Sequence, residues 1–135
     1  MALIEWSEKY SVNVKAIDEE HKKIINIINE LHEAMLQRAT KSVMSTIIKS
    51  LVDYTVSHFT NEQNYFKKFN YPQTENHIAQ HREFVNKISD FQKGHEEDRM
   101  FLSVDIMNFL KNWLSDHIQG SDHDYSEFFN ANDLY

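Results

Sequence analysis

The only proline of this 135-residue chain, Pro72, lies between two pairs of candidate metal donors. His58-Phe-Thr-Asn-Glu62 precedes it and His77-Ile-Ala-Gln-His81 follows it. Residues four apart on a helix share one face, with Cβ atoms roughly 5–6 Å apart, so each pair can address a single target. The residue before a proline is pushed out of the α region. Tyr71-Pro72 therefore ends one helix and folds the next against it. A hairpin that presents His, Glu, His and His to one spot has the donor types of a metal site.

Composition supports helices around this hairpin. Two glycines and one proline suit long uninterrupted helices better than a turn-rich β fold. At 135 residues the chain has the size of one domain with a real core, and 1–135 is read as a single domain. The formal charge of −7 argues against nucleic acid and against an anionic membrane surface as partners. The absence of cysteine removes disulfides, zinc-thiolate sites, iron–sulfur ligation and cysteine nucleophiles together. It also fits a reducing compartment. Met1 to Tyr10 lacks the pattern of a signal peptide, and no apolar run approaches the ~18 residues needed to span a bilayer. A cytoplasmic location is expected.

Residues 1–17 lack helical periodicity. Leu3, Ile4, Trp6, Val12, Val14 and Ile17 would let this arm lie against a bundle. Asp18 is the expected N-cap of a first helix carrying Ile24, Ile28, Leu31 and Met35 and running to about Arg38. A second helix begins near Ser42 and ends before Pro72. Thr74 is the expected N-cap of a third, whose stripe is His77, His81, Phe84, Ile88 and Phe91. Gly94 follows as a C′ residue. Glu96, Glu97 and Asp98 favour the start of a fourth helix, with Leu102, Ile106, Phe109, Leu110, Trp113, Leu114 and His117 on one side. Gly120 is expected to disrupt it, and Asp122 to Phe129 to form a short terminal helix. The predicted fold is all-α: an antiparallel up-down-up-down four-helix bundle with an N-terminal arm and a short C-terminal helix.

That topology makes a statement about ends. The start of the first helix, the end of the second, the start of the third and the end of the fourth lie together. His21, His58, Glu62, His77, His81, His117 and Asp122 all fall at that end. Taken singly, a histidine on an apolar face is more often a packed core residue than a ligand. Seven such groups on one level, left without partners, would each cost several kcal/mol as buried polar groups, which favours a metal site.

Seven donors exceed the four of a tetrahedral zinc site, and calcium or magnesium would want oxygen rather than imidazole. Imidazole with carboxylate suits iron, zinc, copper or nickel. Two metals bridged by two carboxylates use the set well. If three histidines bind one metal and two the other, the first is closed and the second keeps an open position for a small ligand. Trp113, Leu114, Ile118, Phe59 and Phe66 are core by default, and Leu114 and Ile118 flank His117. Leu114, Ile118, Trp113 and Phe59 are the expected lining of a small-ligand pocket. His32, His95 and His123 lie off the constellation and are expected at the surface.

The pattern of His21, His58-Phe-x-x-Glu62, His77-x-x-x-His81 and His117-Ile-x-x-x-Asp122 resembles the hemerythrins, specifically the single-domain bacterial ones. Trp6, Asp18, Tyr71-Pro72 and Trp113-Leu114 add to the likeness, which covers essentially the whole chain. The resemblance implies two non-haem Fe ions, bridged by oxide or hydroxide, Glu62 and Asp122, that bind O2 reversibly. It assigns His77, His81 and His117 to the closed iron and His21 and His58 to the open one. The chain departs from the family at Gln63, where glutamate is frequent, and at Tyr65-Phe66, where Leu-Met is usual. Glu20 stands where glutamine is common, and His123 where lysine is frequent. No departure removes a ligand; Tyr65-Phe66 and Glu20 bear on pocket shape and on the electrostatics around the ligands.

The expected function is therefore an O2 carrier, store or sensor rather than an enzyme. The alternatives are a di-iron peroxidase, oxidase or nitric-oxide-handling protein, and iron or metal buffering. Five neutral imidazoles fit reversible binding better than the carboxylate-rich sets of ferritin-like oxygenases. A monomer is expected, with a homo-oligomer as the other possibility.

Overall fold

The computed structural model describes residues 4–97 and 102–135, with only the backbone at 102–104 and 121. Leu3, Asp98 and the side chain of Leu102 lie outside the described residues. Four long helical segments follow one another: α1 (Lys15–Leu36), α2 (Lys41–Phe69), α3 (Thr74–Glu96) and α4 (Leu102–Trp113). A π-helical segment, Leu114–Asp122, continues α4, and α5 (Ser126–Ala131) closes the chain. Contacts join α1 to α2, α2 to α3, α3 to α4 and α4 back to α1, the ring of neighbours of an up-down-up-down bundle. Among the described residues there is no strand, and no helix is long and apolar enough to cross a membrane.

The helix ends show how local chemistry and packing compete. α2 starts where Thr40 accepts a bond from the Val43 N–H (3.3 Å), and it ends with Asn70 in the left-handed region (φ 55°). Asparagine tolerates that C-terminal position better than most residues. Both boundaries sit close to those expected. α1 begins earlier than expected, at Lys15, so Asp18 lies inside its first turn. The Asp18 carboxylate instead accepts from Ser11 Oγ (2.7 Å) and from the Val12 N–H (2.8 Å), tying down the arm. Thr74 is the first residue of α3 rather than its cap, and its hydroxyl donates to the Tyr71 carbonyl at 2.5 Å. Gly94 is buried inside α3, which runs on to Glu96. A glycine costs a helix about 1 kcal/mol relative to alanine, which tertiary packing readily overrides.

The apolar side chains form two groups. The larger occupies the bundle interior and includes Ile24, Ile28, Leu31, Ile48, Leu51, Phe59, Phe84, Ile88, Leu110, Trp113, Leu114 and Ile118. The smaller joins Val12, Val14 and Ile17 to Phe66, Tyr71, Tyr125 and Phe129. The arm thus caps one end of the bundle together with the C-terminal segment, as its apolar residues require. Ile4 is also pinned, exchanging two hydrogen bonds with the Asn29 side chain (2.9 and 2.8 Å). Because bonds to a charged partner contribute about 1.5–3 kcal/mol, Asp18→Ala should lower stability by about 2 kcal/mol. Urea unfolding of wild type and variant checks this; equal midpoints would show that the arm is held by its apolar contacts alone.

Candidate metal centre

All seven donors predicted from the sequence meet in the layer between these two apolar groups. His21 comes from α1, His58 and Glu62 from α2, His77 and His81 from α3, and His117 and Asp122 from the π-helical segment. Each is buried, and His21, Glu62 and Asp122 have no solvent exposure at all. Phe59 stacks on His81 (3.8 Å between ring centres, 5°) and Trp113 on His117 (3.9 Å, 15°). From the other side Phe66 and Tyr125 approach His77 at 4.8 and 5.6 Å. Leu114 and Ile118 are buried in the same cluster as Phe59 and Trp113.

The fourth strut differs from expectation. Gly120 does not break the helix; the winding widens into a π-helix that contains it. A Cβ at Gly120 would meet open space, so packing does not demand glycine there. The wide winding has a use. In an α-helix, residues five apart lie about 140° from each other around the axis, given 3.6 residues per turn. A π-helix bonds i to i+5 and brings such residues over one another, and π-turns recur at functional sites. His117 Nε2 and Asp122 Oδ1 are consequently 2.9 Å apart.

The donors fall into two overlapping sets. Glu62, His77, His81, His117 and Asp122 can converge on one point, and His21, His58, Glu62 and Asp122 on another. Each shared carboxylate divides its oxygens between them. Glu62 Oε1 lies 2.8 Å from His77 Nε2 and 2.9 Å from His81 Nε2, while Oε2 lies 3.2 Å from His58 Nε2 and 3.9 Å from His21 Nε2. Asp122 Oδ1 faces His77 and His117 (2.5 and 2.9 Å), and Oδ2 faces His21 (3.0 Å). Despite these short distances, Nε2 of His21, His77 and His117 and both Asp122 oxygens make no hydrogen bond of acceptable geometry. Within each set one nitrogen or oxygen per residue lies within 4.8 Å of all the others, close enough to share one point. Buried unpaired groups cost about 1–3 kcal/mol each, and two cations placed between them would satisfy them together. Five imidazoles and two carboxylates without a thiolate fit two borderline transition-metal ions such as iron.

Outward-facing nitrogens are held too. His58 Nδ1 donates to Glu20 Oε2 (2.7 Å), His81 Nδ1 to Gln63 Oε1 (3.0 Å) and His117 Nδ1 to Gln80 Oε1 (2.5 Å). Oxygen partners place a proton on Nδ1 and direct Nε2 inward, the usual way of orienting a metal-binding imidazole. The Tyr125 hydroxyl donates to Glu62 Oε2 (2.9 Å), and Tyr54 stacks on His58 (5.2 Å, 15°). Gln80, Tyr125 and Tyr54 are supporting residues that the spacing argument missed. Their signal was proximity in sequence: each lies three or four residues from a donor, on the same helical face. His32 and His95, expected to be solvated, are half-buried, and His95 Nε2 meets Ser45 Oγ at 3.2 Å. His123 is exposed, as expected, and its Nδ1 donates to the Ser11 carbonyl (3.1 Å).

Without cations, protons do part of the neutralising. Burial alone would depress His58, but the Glu62 charge and hydrogen bonds with Glu20 and Glu62 push it up to about 10. Burial also opposes the charge on His77, and the adjacent Asp122 and Glu62 carboxylates raise it to about 9. Burial lowers His81. Burial would raise both carboxyls, yet the surrounding imidazoles hold Glu62 and Asp122 well below the usual range. Burial pushes the Tyr54 and Tyr125 phenols up, so both stay protonated. Because His58 and His77 carry an extra proton at neutral pH and a ligand must be deprotonated, filling the centre at pH 7 should release about two protons. Apparent affinity should then rise with pH until it passes about 9 and about 10. Titration calorimetry in buffers of different ionisation enthalpy measures the release; a value near zero would refute it.

Comparison with known proteins agrees with this geometry. Residues 12–129 match the hemerythrin HHE cation binding domain. A bacteriohemerythrin of Stenotrophomonas maltophilia is 32% identical, over 94% of this chain and 82% of its own length. Another, from Methylococcus capsulatus, is 30% identical over 97% of this chain and all of its own. The crystal structure of a wild-type hemerythrin matches with a TM-score of 0.85 and 29% identity, covering 93% of this chain and 97% of that one.

Proposed function

This chain belongs to the hemerythrin family, and we propose that it binds O2 reversibly at a non-haem di-iron centre, as a carrier, store or sensor rather than an enzyme. One observation carries the reading: Glu62 and Asp122 each turn one oxygen to a three-histidine set and the other to a two-histidine set. In this reading His77, His81 and His117 hold one iron, His21 and His58 the other, and the two carboxylates join them. When bound, a pair of ferrous ions would supply the electrons that O2 binding needs.

What the chain itself contributes follows from its own contacts. The outward hydrogen bonds of His58, His81 and His117 hold their rings so that Nε2 faces inward. The Tyr125 hydroxyl orients Glu62. Phe59 and Trp113, stacked on His81 and His117, exclude water from that side, and Leu114 and Ile118 extend the apolar wall. We assign these four residues to the lining of the O2 pocket, which this wall reaches through Phe59, 5.6 Å from the His58 ring of the two-histidine set. A dry site suppresses irreversible oxidation by limiting proton and water access. Residues 1–135 act in this reading as one domain, and its expected state is monomeric.

The test is a cycle. Reduced, iron-loaded protein is exposed to O2 and then degassed while the visible spectrum is followed. Return of the colourless reduced state supports reversible binding. Irreversible oxidation on first exposure, accompanied by peroxide consumption, would favour an enzyme instead.

A further inference from the structure

The donor histidines differ in what holds their outer nitrogens. On the three-histidine side, His81 and His117 face carboxamide oxygens, those of Gln63 and Gln80. On the two-histidine side, His58 Nδ1 faces the carboxylate of Glu20 at 2.7 Å. The other Glu20 oxygen accepts from Asn61 Nδ2 (3.1 Å), which fixes the carboxylate in place. The Glu20 side chain is 18% exposed, so water screens its charge only in part. His21 Nδ1, in the same set, has no hydrogen-bond partner. The set with fewer imidazoles is therefore the one whose histidine leans on a formal negative charge.

We propose that Glu20 is a positioning residue that acts through His58 to make the two iron positions electronically unequal, favouring the ferric state in the half built on His21 and His58. The inference rests on the di-iron reading above. A hydrogen bond from Nδ1–H to a carboxylate raises the basicity of the opposite nitrogen more than one to a neutral amide. A ferric ion gains more from that electron density than a ferrous ion, because its charge is larger. The one-electron potential of that half is thereby lowered. In the redox step each ferrous ion gives one electron to the electrode, and the proton between His58 and Glu20 stays where it is.

Anaerobic spectroelectrochemistry of the iron-loaded full chain tests this without recourse to O2. Glu20→Gln keeps an accepting oxygen and removes the charge. The potential of one of the two one-electron steps should rise by about 59 mV, a tenfold fall in the ferric-to-ferrous ratio at a fixed potential. Glu20→Asp, which keeps the charge, should remain nearer wild type. The reciprocal Gln63→Glu, which places a carboxylate on His81, should lower the other step. Two irons bound with both steps unmoved in Glu20→Gln and Gln63→Glu would overturn the inference while leaving the di-iron reading intact. A chain that holds no iron, wild type included, would overturn both. If Glu20→Gln alone loses iron, Gln63→Glu decides: a lowered step supports the inference, and an unmoved step overturns it.

Discussion

Glu62→Ala is expected to reduce bound iron from two ions per chain to at most one. Among the described residues only Glu62 and Asp122 belong to both donor sets, so neither position is complete without them. Glu62 also sits within 3.2 Å of His58, His77 and His81 and accepts the Tyr125 hydroxyl bond. In the metal-free protein its loss removes the main charge that keeps His58 protonated. Breaking a buried pair by removing one partner costs about 3–5 kcal/mol, so the apo variant should also unfold at lower denaturant. Iron per chain and apo-protein urea curves measure the two effects separately. A variant that still holds two irons would show that Glu62 does not bridge.

Phe66→Ala should produce the largest loss of stability among apolar substitutions near the site. Phe66 is fully buried and lies against Tyr71, His77, Tyr125 and Phe129, with centroid distances of 4.8 to 5.8 Å. It thus joins α2 to α3 and to the C-terminal segment that carries Asp122. Removing a buried phenylalanine costs about 3–5 kcal/mol. At roughly 2–4 °C per kcal/mol for chains near this size, the melting temperature should fall by about 10 °C. Phe66→Leu, which refills most of the volume, should recover more than half of the loss. Unchanged melting in Phe66→Ala would mean that the smaller apolar group collapses around the cavity.

Much of the site was legible because its determinants are local. A spacing of four places His58 with Glu62, and His77 with His81, on single helical faces whatever else the chain does. The proline reverses the chain between them, and the antiparallel order then puts His21 and His117 at the same end. Where local rules failed, a weak preference met a stronger contact. Asp18 has the chemistry of a cap but finds Ser11 and Val12 in the folded arm. Gly94 and Gly120 look like breakers, yet each continues its helix.

Sequence by itself therefore determined the helical class, the end of the bundle that matters and which seven polar side chains meet there, because periodicity and chain reversal act over neighbouring residues. Only the tertiary structure decided the rest. It divided the oxygens of Glu62 and Asp122 between two sets, wound Leu114–Asp122 so that His117 meets Asp122, and placed Glu20, Gln63, Gln80 and Tyr125 behind or beside the donors. Those outcomes depend on distances between helices far apart in the chain, as with Glu20 and His58 or Gln80 and His117. Packing sets such distances, and no local spacing encodes them.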